Sequence, residues 1–192
     1  MTTCVVVIPI YNANPKPIEM ASLRRVLTVL NGHVIHLFTY EDLDTTVYKA
    51  VFEECNKSFL VDYFDKSYFS SVKGYNKLCL TPAFYLRYID YDYMLIYQLD
   101  AWVFYDSLQY WCDKNYDYIG APHFYSQEKN VTKEFMGVGN GGFSLRRIKY
   151  CLQILYGNKY MPYLIKSDTF SSKTKIITVL KYIFPSIVKV KS

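Results

Sequence analysis

The chain has 192 residues, of which 51% are hydrophobic and 20% are charged, and this is typical of one globular domain with a buried core. A disordered, collagen-like or repeat-built chain is excluded. The net charge of +5 is uneven, because residues 1–157 carry 15 Lys and Arg against 16 Asp and Glu, whereas residues 158–192 carry seven Lys against Asp168. The main body lacks the basic field of nucleic-acid-binding proteins, so we expect no nucleic acid as a partner.

The first hundred residues alternate between the patterns of buried strands and amphipathic helices. Residues 4–10 read CVVVIPI, a β-branched run typical of a strand that is buried on both faces. Pro17 opens a helix that ends at Asn31-Gly32, and residues 34–38 follow as a second strand. Helices are also predicted over 44–55 and 72–88, with a new start at Pro82, and strands over 58–61 and 94–99. This order predicts an α/β fold with a parallel sheet.

After residue 100 the predicted elements are shorter. Asp106 can cap a helix that runs through Leu108 and Trp111. The remaining predictions are a strand over 116–119 closed by Gly120-Ala121-Pro122, a polar loop over 127–137, a strand over 141–145 and a helix over 146–155. We expect one domain over residues 1–157, followed by a basic, helical C-terminal segment over residues 158–192.

The cysteines and the apolar runs indicate where the protein resides. The five cysteines are far apart and odd in number, which argues against a zinc site and against a disulfide framework. Unpaired buried thiols are typical of a reducing compartment. The sequence has no basic N-terminal region followed by a long apolar run, and no apolar run approaches the roughly 20 residues of a spanning helix. We therefore expect a cytoplasmic protein.

Two segments stand at the carboxyl ends of predicted strands, where parallel α/β sheets bind their ligands. Residues 9–12 follow the first strand, and Asp100 follows the strand over 94–99 directly. A carboxylate buried there requires a partner, and the candidates are a ribose hydroxyl, a metal ion or Lys73. An ordinary strand-to-helix loop for residues 9–12, and a helix cap or loop salt bridge for Asp100, remain open as alternatives.

Two stretches resemble nucleotide-sugar glycosyltransferases of the GT-A fold. Leu99-Asp100-Ala101-Trp102-Val103-Phe104 is similar to the strand end that reads LDAD in glycogenin-like and lipopolysaccharide-galactosyltransferase-like families. Asn140-Gly141-Gly142-Phe143-Ser144-Leu145 resembles the N-x-G segment that those enzymes place beside the sugar. A set of short motifs over residues 4–150 also resembles a family of bacterial glycosyltransferases from capsule and lipopolysaccharide gene clusters; the set includes Tyr68-Phe69, Gly74-Tyr75-Asn76 and Tyr116-Asp117-Tyr118-Ile119-Gly120-Ala121-Pro122.

The resemblance implies a GT-A fold, with a Rossmann-like, mixed and mostly parallel sheet, and the transfer of a sugar from a UDP-sugar to a hydroxyl of a glycan or lipid-linked acceptor. Asp100 would bind the ribose or a metal ion and is the first candidate to take part in catalysis. The expected nucleotide-binding residues are Pro9, Ile10, Tyr11, Asn12, Lys73, Asn76 and Asp100. The expected sugar or acceptor residues are Trp102, His123, Asn140, Gly141 and Gly142.

The chain departs from the family pattern in two places. Asp100-Ala101-Trp102 lacks the second carboxylate of D-x-D, so dependence on Mn²⁺ or Mg²⁺ stays open. Asp106 is a candidate for that second carboxylate, although a helix cap is the favoured reading of this residue. No acidic motif follows the N-G-G segment, since Asp168 is the last acid and does not match, and the catalytic base is therefore unassigned. A truncated chain and a base elsewhere are both open.

Two other functions compete with the transferase. The missing acids favour a catalytically silent module that binds a nucleotide sugar or a glycan. A nucleotidyltransferase is the weaker alternative, because residues 11–15 lack the Gly-rich, basic loop expected after the first strand.

The C-terminal stretch over 173–192 reads KTKIITVLKYIFPSIVKVKS and mixes apolar residues with lysines. A last helix packed on the domain is one interpretation. The other is an amphipathic segment on an anionic membrane, which would suit a lipid-linked acceptor and a peripheral position on the inner face of the cytoplasmic membrane.

Overall fold

The computed structural model describes residues 2–127 and 130–156, and of residues 123–127 and 130–140 it describes the backbone. Strands and helices alternate along the first half, as the sequence predicts. The strands are β1 (Cys4–Pro9), β2 (Val34–Thr39), β3 (Leu60–Tyr63), β4 (Tyr93–Tyr97), β5 (Tyr118–Gln127) and β6 (Asn130–Arg147). The helices are α1 (Pro17–Val29), α2 (Thr46–Glu54), α3 (Val72–Cys79), α4 (Pro82–Leu86), α5 (Leu108–Asp113) and α6 (Ile148–Leu155).

The strands form one mixed sheet in the order β3-β2-β1-β4-β6-β5. The four strands from β3 to β4 in this order are parallel, whereas β6 runs antiparallel to both β4 and β5. The α/β prediction with a mostly parallel sheet is therefore confirmed. Because the carboxyl ends of β1 and β4 meet at the same edge, residues that follow these two strands are brought together there.

Strand β1 is central and fully buried, which explains its run of β-branched residues. Val6 and Ile8 belong to the core on the face covered by α1 and α2, together with Leu27 of α1. Val5 and Val7 belong to the core on the opposite face, which α3, α4 and α6 cover. Helix α1 begins with Pro17, and Glu19 Oε2 accepts the backbone N–H of Lys16 at 2.6 Å, so the first turn is capped.

The region after α5 differs from the sequence prediction. Gly120-Ala121-Pro122 does not close a strand but lies inside β5, and residues 127–137, predicted as a loop, belong to β5 and β6 except for 128–129, which are not described. The antiparallel pairing of these two strands, which begins at Gln127 and Asn130, provides backbone partners that no local pattern shows. Pro122 is tolerated because β5 is the edge strand of the sheet and its register shifts at this residue.

Two further predictions concern the C-terminal part of the chain. The basic segment over 158–192, with its predicted helix, lies outside the described residues. Between residues 2 and 156, apart from 128–129, no helix combines the length and the apolar character that crossing a bilayer requires.

The core that positions the sheet edge can be tested at Leu27, whose side chain is fully buried in α1. We expect Leu27→Ala to lower the free energy of unfolding by about 2–5 kcal/mol, because it removes buried methyl groups and leaves a cavity. Urea denaturation measures the change. Ile18→Ala on the same helix is the matched control, since Ile18 is 64% exposed and its replacement should change stability by less than about 0.5 kcal/mol. Equal losses in both variants would contradict this packing.

Candidate functional site

A cleft of about 140 Å³ opens at the carboxyl ends of β1 and β4. Its walls come from the loop after β1, from the turn after β4, and from one residue each of α1 and α2. The lining residues are Pro9, Ile10, Tyr11, Asn12, Glu19, Tyr48, Gln98, Leu99 and Asp100. The structure thus brings together the two segments that the sequence predicts as ligand-binding, residues 9–12 and Asp100.

Backbone and side-chain hydrogen bonds hold the floor of the cleft. The backbone N–H of Ile10 donates to the carbonyl of Phe38 at 3.1 Å, and the hydroxyl of Thr39 donates to the carbonyl of Ile10 at 2.9 Å. Ile10, the first residue after β1, is therefore held against β2 by both its backbone N–H and its carbonyl. Thr39 is fully buried, so its hydroxyl has no competing water.

Asn12 forms a local turn rather than pointing a free amide into the cleft. Its Oδ1 accepts the backbone N–H of Asn14 at 2.9 Å, and its Nδ2 donates to the carbonyl of Asn14 at 3.0 Å. Its own carbonyl accepts the hydroxyl of Tyr48 at 2.7 Å. Asn12 therefore shapes the wall of the cleft and ties it to α2.

Tyr11 forms the wall that faces α3. Its ring centroid lies 6.1 Å from that of Phe69 and 5.9 Å from that of Tyr75, and its hydroxyl accepts from Gln98 Nε2 at 3.5 Å. Burial raises the pKa of Tyr11 above its usual range, and burial likewise raises the pKa of Tyr48 to about 12. Both phenols are therefore neutral at physiological pH. The hydroxyl of Tyr11 can donate a hydrogen bond to a ligand, whereas the single hydroxyl hydrogen of Tyr48 is already donated to the carbonyl of Asn12, so Tyr48 offers its oxygen as an acceptor.

Asp100 lies at the mouth of the cleft and is exposed, so its charge has no cost of burial that would require a partner. A turn closed by the backbone N–H of Ala101 on the carbonyl of Gln98, at 2.9 Å, places it there, outside β4. Asp100 forms no ion pair with Lys73 or any other residue in the described part of the chain. Its carboxylate is thus hydrated in the free protein and available to a ligand.

The N-G-G segment lies next to Asp100 at the same sheet edge. In the antiparallel pairing of β4 with β6, Tyr97 is opposite Phe143, and the backbone N–H of Gln98 donates to the carbonyl of Gly142 at 2.8 Å. The backbone of Asn140 is opposite Ala121 of β5. The segment is part of a strand, and its carbonyl contacts the residue two positions before Asp100.

The remaining predicted site residues are spread around this edge. Lys73 and Asn76 are exposed on α3, flank Tyr75 in the sequence and do not line the cleft. Trp102 is half-exposed, with the guanidinium of Arg25 5.9 Å from its ring centroid. The side chains of His123 and Asn140 lie outside the described residues.

Asp106 is excluded as a second metal ligand beside Asp100, because it lies at the opposite edge of the sheet. The segment from Asp100 to Asp106 follows α1 away from the cleft, and the hydroxyl of Ser22 in α1 donates to the carbonyl of Ala101 at 2.7 Å. Asp106 Oδ2 then lies 3.1 Å from Nε2 of His33, the residue before β2, and Oδ1 accepts the backbone N–H of Leu108 at 3.0 Å. Asp106 thus accepts the first N–H of α5, as a capping residue does, although the N-cap position itself is Ser107, one residue later than predicted.

The cleft offers few ligands for a metal ion. The described residues contain no group of three or more His, Cys, Asp or Glu that could hold one. Within the cleft, Asp100 and Glu19 are the acids, and one Glu19 oxygen already accepts the backbone N–H of Lys16. A divalent ion would therefore have Asp100 as its free carboxylate and would require most ligands from a substrate or from water.

Residues 58–178 match the family model described as protein of unknown function (DUF5672), which is more than half of the chain. The chain belongs to this family. The DUF5672 match contains Gln98, Asp100 and the N-G-G segment, whereas residues 9–12 precede it. No curated protein and no solved structure matches the chain.

Four lining residues of this DUF5672 protein were not predicted from its sequence as site residues: Glu19, Tyr48, Gln98 and Leu99. Gln98 and Leu99 directly precede Asp100, so their position at the end of the buried run could have identified them. Glu19 has the sequence signal of a helix start, which it also fulfils. Tyr48 carries no local signal, because only the packing of α2 beside β1 brings it to Asn12.

The floor of the cleft can be tested at Thr39. We expect Thr39→Val to lower the free energy of unfolding by about 1–3 kcal/mol, because the shape is kept while the buried carbonyl of Ile10 loses its hydroxyl donor. Urea denaturation measures the loss. Thr28→Val is the control, since the hydroxyl of Thr28 is exposed and bonds only to the carbonyl of Arg24 within α1. A similar loss for both variants would show that the Thr39 bond carries no special weight.

Proposed function

We propose that this protein is a nucleotide-sugar glycosyltransferase of the GT-A type, which transfers a sugar from a UDP-sugar to a hydroxyl of a glycan or lipid-linked acceptor in surface-polysaccharide synthesis. The observation that carries the proposal is the hydrogen bond from the Gln98 N–H to the Gly142 carbonyl at 2.8 Å. It brings the two motifs of the resemblance, around Asp100 and around Gly141-Gly142, to one sheet edge. The mixed, mostly parallel sheet is also of the kind that the resemblance implies.

The cleft suits the nucleoside end of such a donor. Its volume of about 140 Å³ is below the roughly 300–1,000 Å³ of pockets that enclose a whole drug-sized ligand, so it would enclose one part of the donor. The hydroxyl of Tyr11 provides a donor, and the hydroxyl oxygen of Tyr48 and the carboxylate of Asp100 provide acceptors, for a base and a ribose. Asp100 at the mouth would accept hydrogen bonds from ribose hydroxyls.

The leaving diphosphate requires neutralisation of its charge. A bound Mn²⁺ or Mg²⁺ would supply this charge stabilisation, and Asp100 is the residue that would hold it. Magnesium commonly binds through one or two carboxylates together with substrate phosphates, so a single free carboxylate is compatible with this role. The transferring sugar would lie against Gly141 and Gly142, whose backbone allows close approach.

The second candidate is a module that binds a nucleotide sugar or a glycan without turnover. The two carboxylates of the cleft favour this candidate. Asp100 is assigned to the donor, and Glu19 is engaged by the backbone of Lys16, so neither is left to act as a base. A general base for the acceptor hydroxyl is therefore not evident among the described residues of the cleft. The two candidates share the donor site and differ in turnover.

Calorimetry with a panel of UDP-sugars, with and without Mn²⁺, tests both candidates together with an assay of UDP release. Binding with release supports the transferase, and binding without release for any acceptor supports the silent module. Absence of binding to every donor contradicts the transferase and the module that binds a nucleotide sugar.

Asp100→Ala should weaken donor binding by about 10- to 100-fold, the range expected for losing hydrogen bonds to a charged group. The matched control is Asp90→Ala, which removes an exposed carboxylate outside the cleft and should leave the affinity unchanged. Wild-type affinity of the Asp100 variant would show that the donor binds elsewhere.

A cytoplasmic protein held at the inner face of the membrane is part of the proposal. The lysine-rich segment over 173–192 would contribute about 1 kcal/mol per lysine near an anionic surface. We expect deletion of residues 173–192 to abolish sedimentation with anionic liposomes. An unchanged pellet fraction would contradict membrane binding through this segment.

A further inference from the structure

Strand β6 contains a bulge beside the cleft. Gly120 of β5 pairs with Ser144, and the next residue, Ala121, pairs with Asn140, so β6 has three additional residues, 141–143, between these two pairs. On the side of β4, Phe143 is opposite Tyr97 and the carbonyl of Gly142 accepts the Gln98 N–H. The bulge therefore lies against the residue two positions before Asp100.

The guanidinium of Arg146 is bound to both ends of this bulge. Its Nε donates to the hydroxyl of Ser144 at 3.0 Å, and its Nη2 donates to the carbonyl of Gly141 at 3.4 Å. The hydroxyl of Ser144 itself donates to the same Gly141 carbonyl at 3.1 Å. The Gly141 carbonyl thus accepts one hydrogen bond directly from Arg146 and a second from Ser144, whose hydroxyl is itself bound by Arg146.

The third arm of the guanidinium anchors it to the helical layer. Nη1 donates to the hydroxyl of Tyr85 at 2.8 Å, and that hydroxyl donates to the carbonyl of Cys79 at the end of α3, at 2.9 Å. The ring of Tyr118 lies on the other side, with its centroid 5.7 Å from the guanidinium carbon. The group is therefore fixed in orientation by α4 and β5 as well as by the bulge.

Arg146 is only 8% exposed, and no carboxylate of the described residues forms an ion pair with it. Burying a cation on neutral partners is costly, and a purely structural position could be filled by an apolar residue. Arg147, the next residue in β6, shows the contrast, because it is less buried and pairs with Asp117 at 3.0 Å. The presence of a buried, charged Arg146 must therefore be explained by its hydrogen bonds.

We propose that Arg146 is a positioning residue that sets the bulge at residues 141–143 against Gln98 and so holds Gly141 and Gly142 beside the cleft. Glycine at position 141 belongs to the same arrangement, since a Cβ there would lie 3.0 Å from Nη2 of Arg146. The rigid fork of arginine is required, because three different nitrogens serve three partners in different directions, whereas a lysine ammonium is a single point.

Amide hydrogen exchange tests the positioning without any ligand. In Arg146→Lys, which keeps the charge but loses the fork, we expect the Gln98 amide to exchange at least tenfold faster than in the wild type. The Ile10 amide, which donates to Phe38 elsewhere in the sheet, should keep its protection. Arg147→Lys is the matched control on the same strand and should leave the Gln98 amide unchanged.

Unchanged exchange at Gln98 in Arg146→Lys overturns the proposal. If the Gln98 and Ile10 amides both lose protection, the fold has loosened, and Ser144→Ala decides, since it removes only the relaying hydroxyl. Faster exchange confined to Gln98 in that variant supports positioning of the bulge. If the Gln98 amide of Ser144→Ala exchanges at the wild-type rate, Arg146 contributes only to general stability and the proposal is overturned.

A second readout rests on the proposed function. Arg146→Lys should bind UDP with the affinity of the wild type. Its affinity for the UDP-sugar should be at least tenfold lower than that of the wild type. An equal loss for UDP and UDP-sugar, or no loss for either, contradicts a role at the sugar. If the wild type binds neither, the proposed function fails while the exchange experiment still decides the role of Arg146.

Discussion

The pairing of β4 with β6 is the interaction on which the rest of the site depends. It joins residues more than forty positions apart in the sequence, and its last hydrogen bond, from Gln98 to Gly142, lies directly beside Asp100. Because β6 is antiparallel, the start of the N-G-G segment reaches the edge at which the parallel strands end. Without this reversal of direction, the two motifs would lie at opposite edges of the sheet.

Two layers of support surround that edge. On one face, Thr39 and Tyr48 tie the loop after β1 to its neighbours, so that the walls of the cleft are built from backbone held by buried or half-buried hydroxyls. On the other face, Arg146 and Ser144 hold the bulge. The first layer consists of neutral hydroxyls and the second is centred on a buried guanidinium, whereas Asp100 is the exposed carboxylate of the cleft.

Local signals were sufficient for the strands β1 to β4, for most helices and for about half of the cleft. A continuous β-branched run that ends in a turn, as at residues 4–12, indicates a buried parallel strand and also where its carboxyl end lies. The same reasoning identifies Asp100. It fails for residues 127–137, where polar composition suggests a loop, because pairing with a distant strand satisfies the backbone in a way that the local sequence does not show.

The sequence by itself therefore determined the alternation of strands and helices, the central position of β1 and the two segments that end at the cleft. Only the tertiary structure decided that Tyr48 and Glu19 join them, that Asp106 lies at the far edge beside His33, and that Arg146 reaches back to Gly141. The physical reason is that hydrogen-bonding patterns and burial within one element follow from neighbouring residues. Contacts between elements depend on strand order, strand direction and register, and a single bulge in β6 changes which side chains meet.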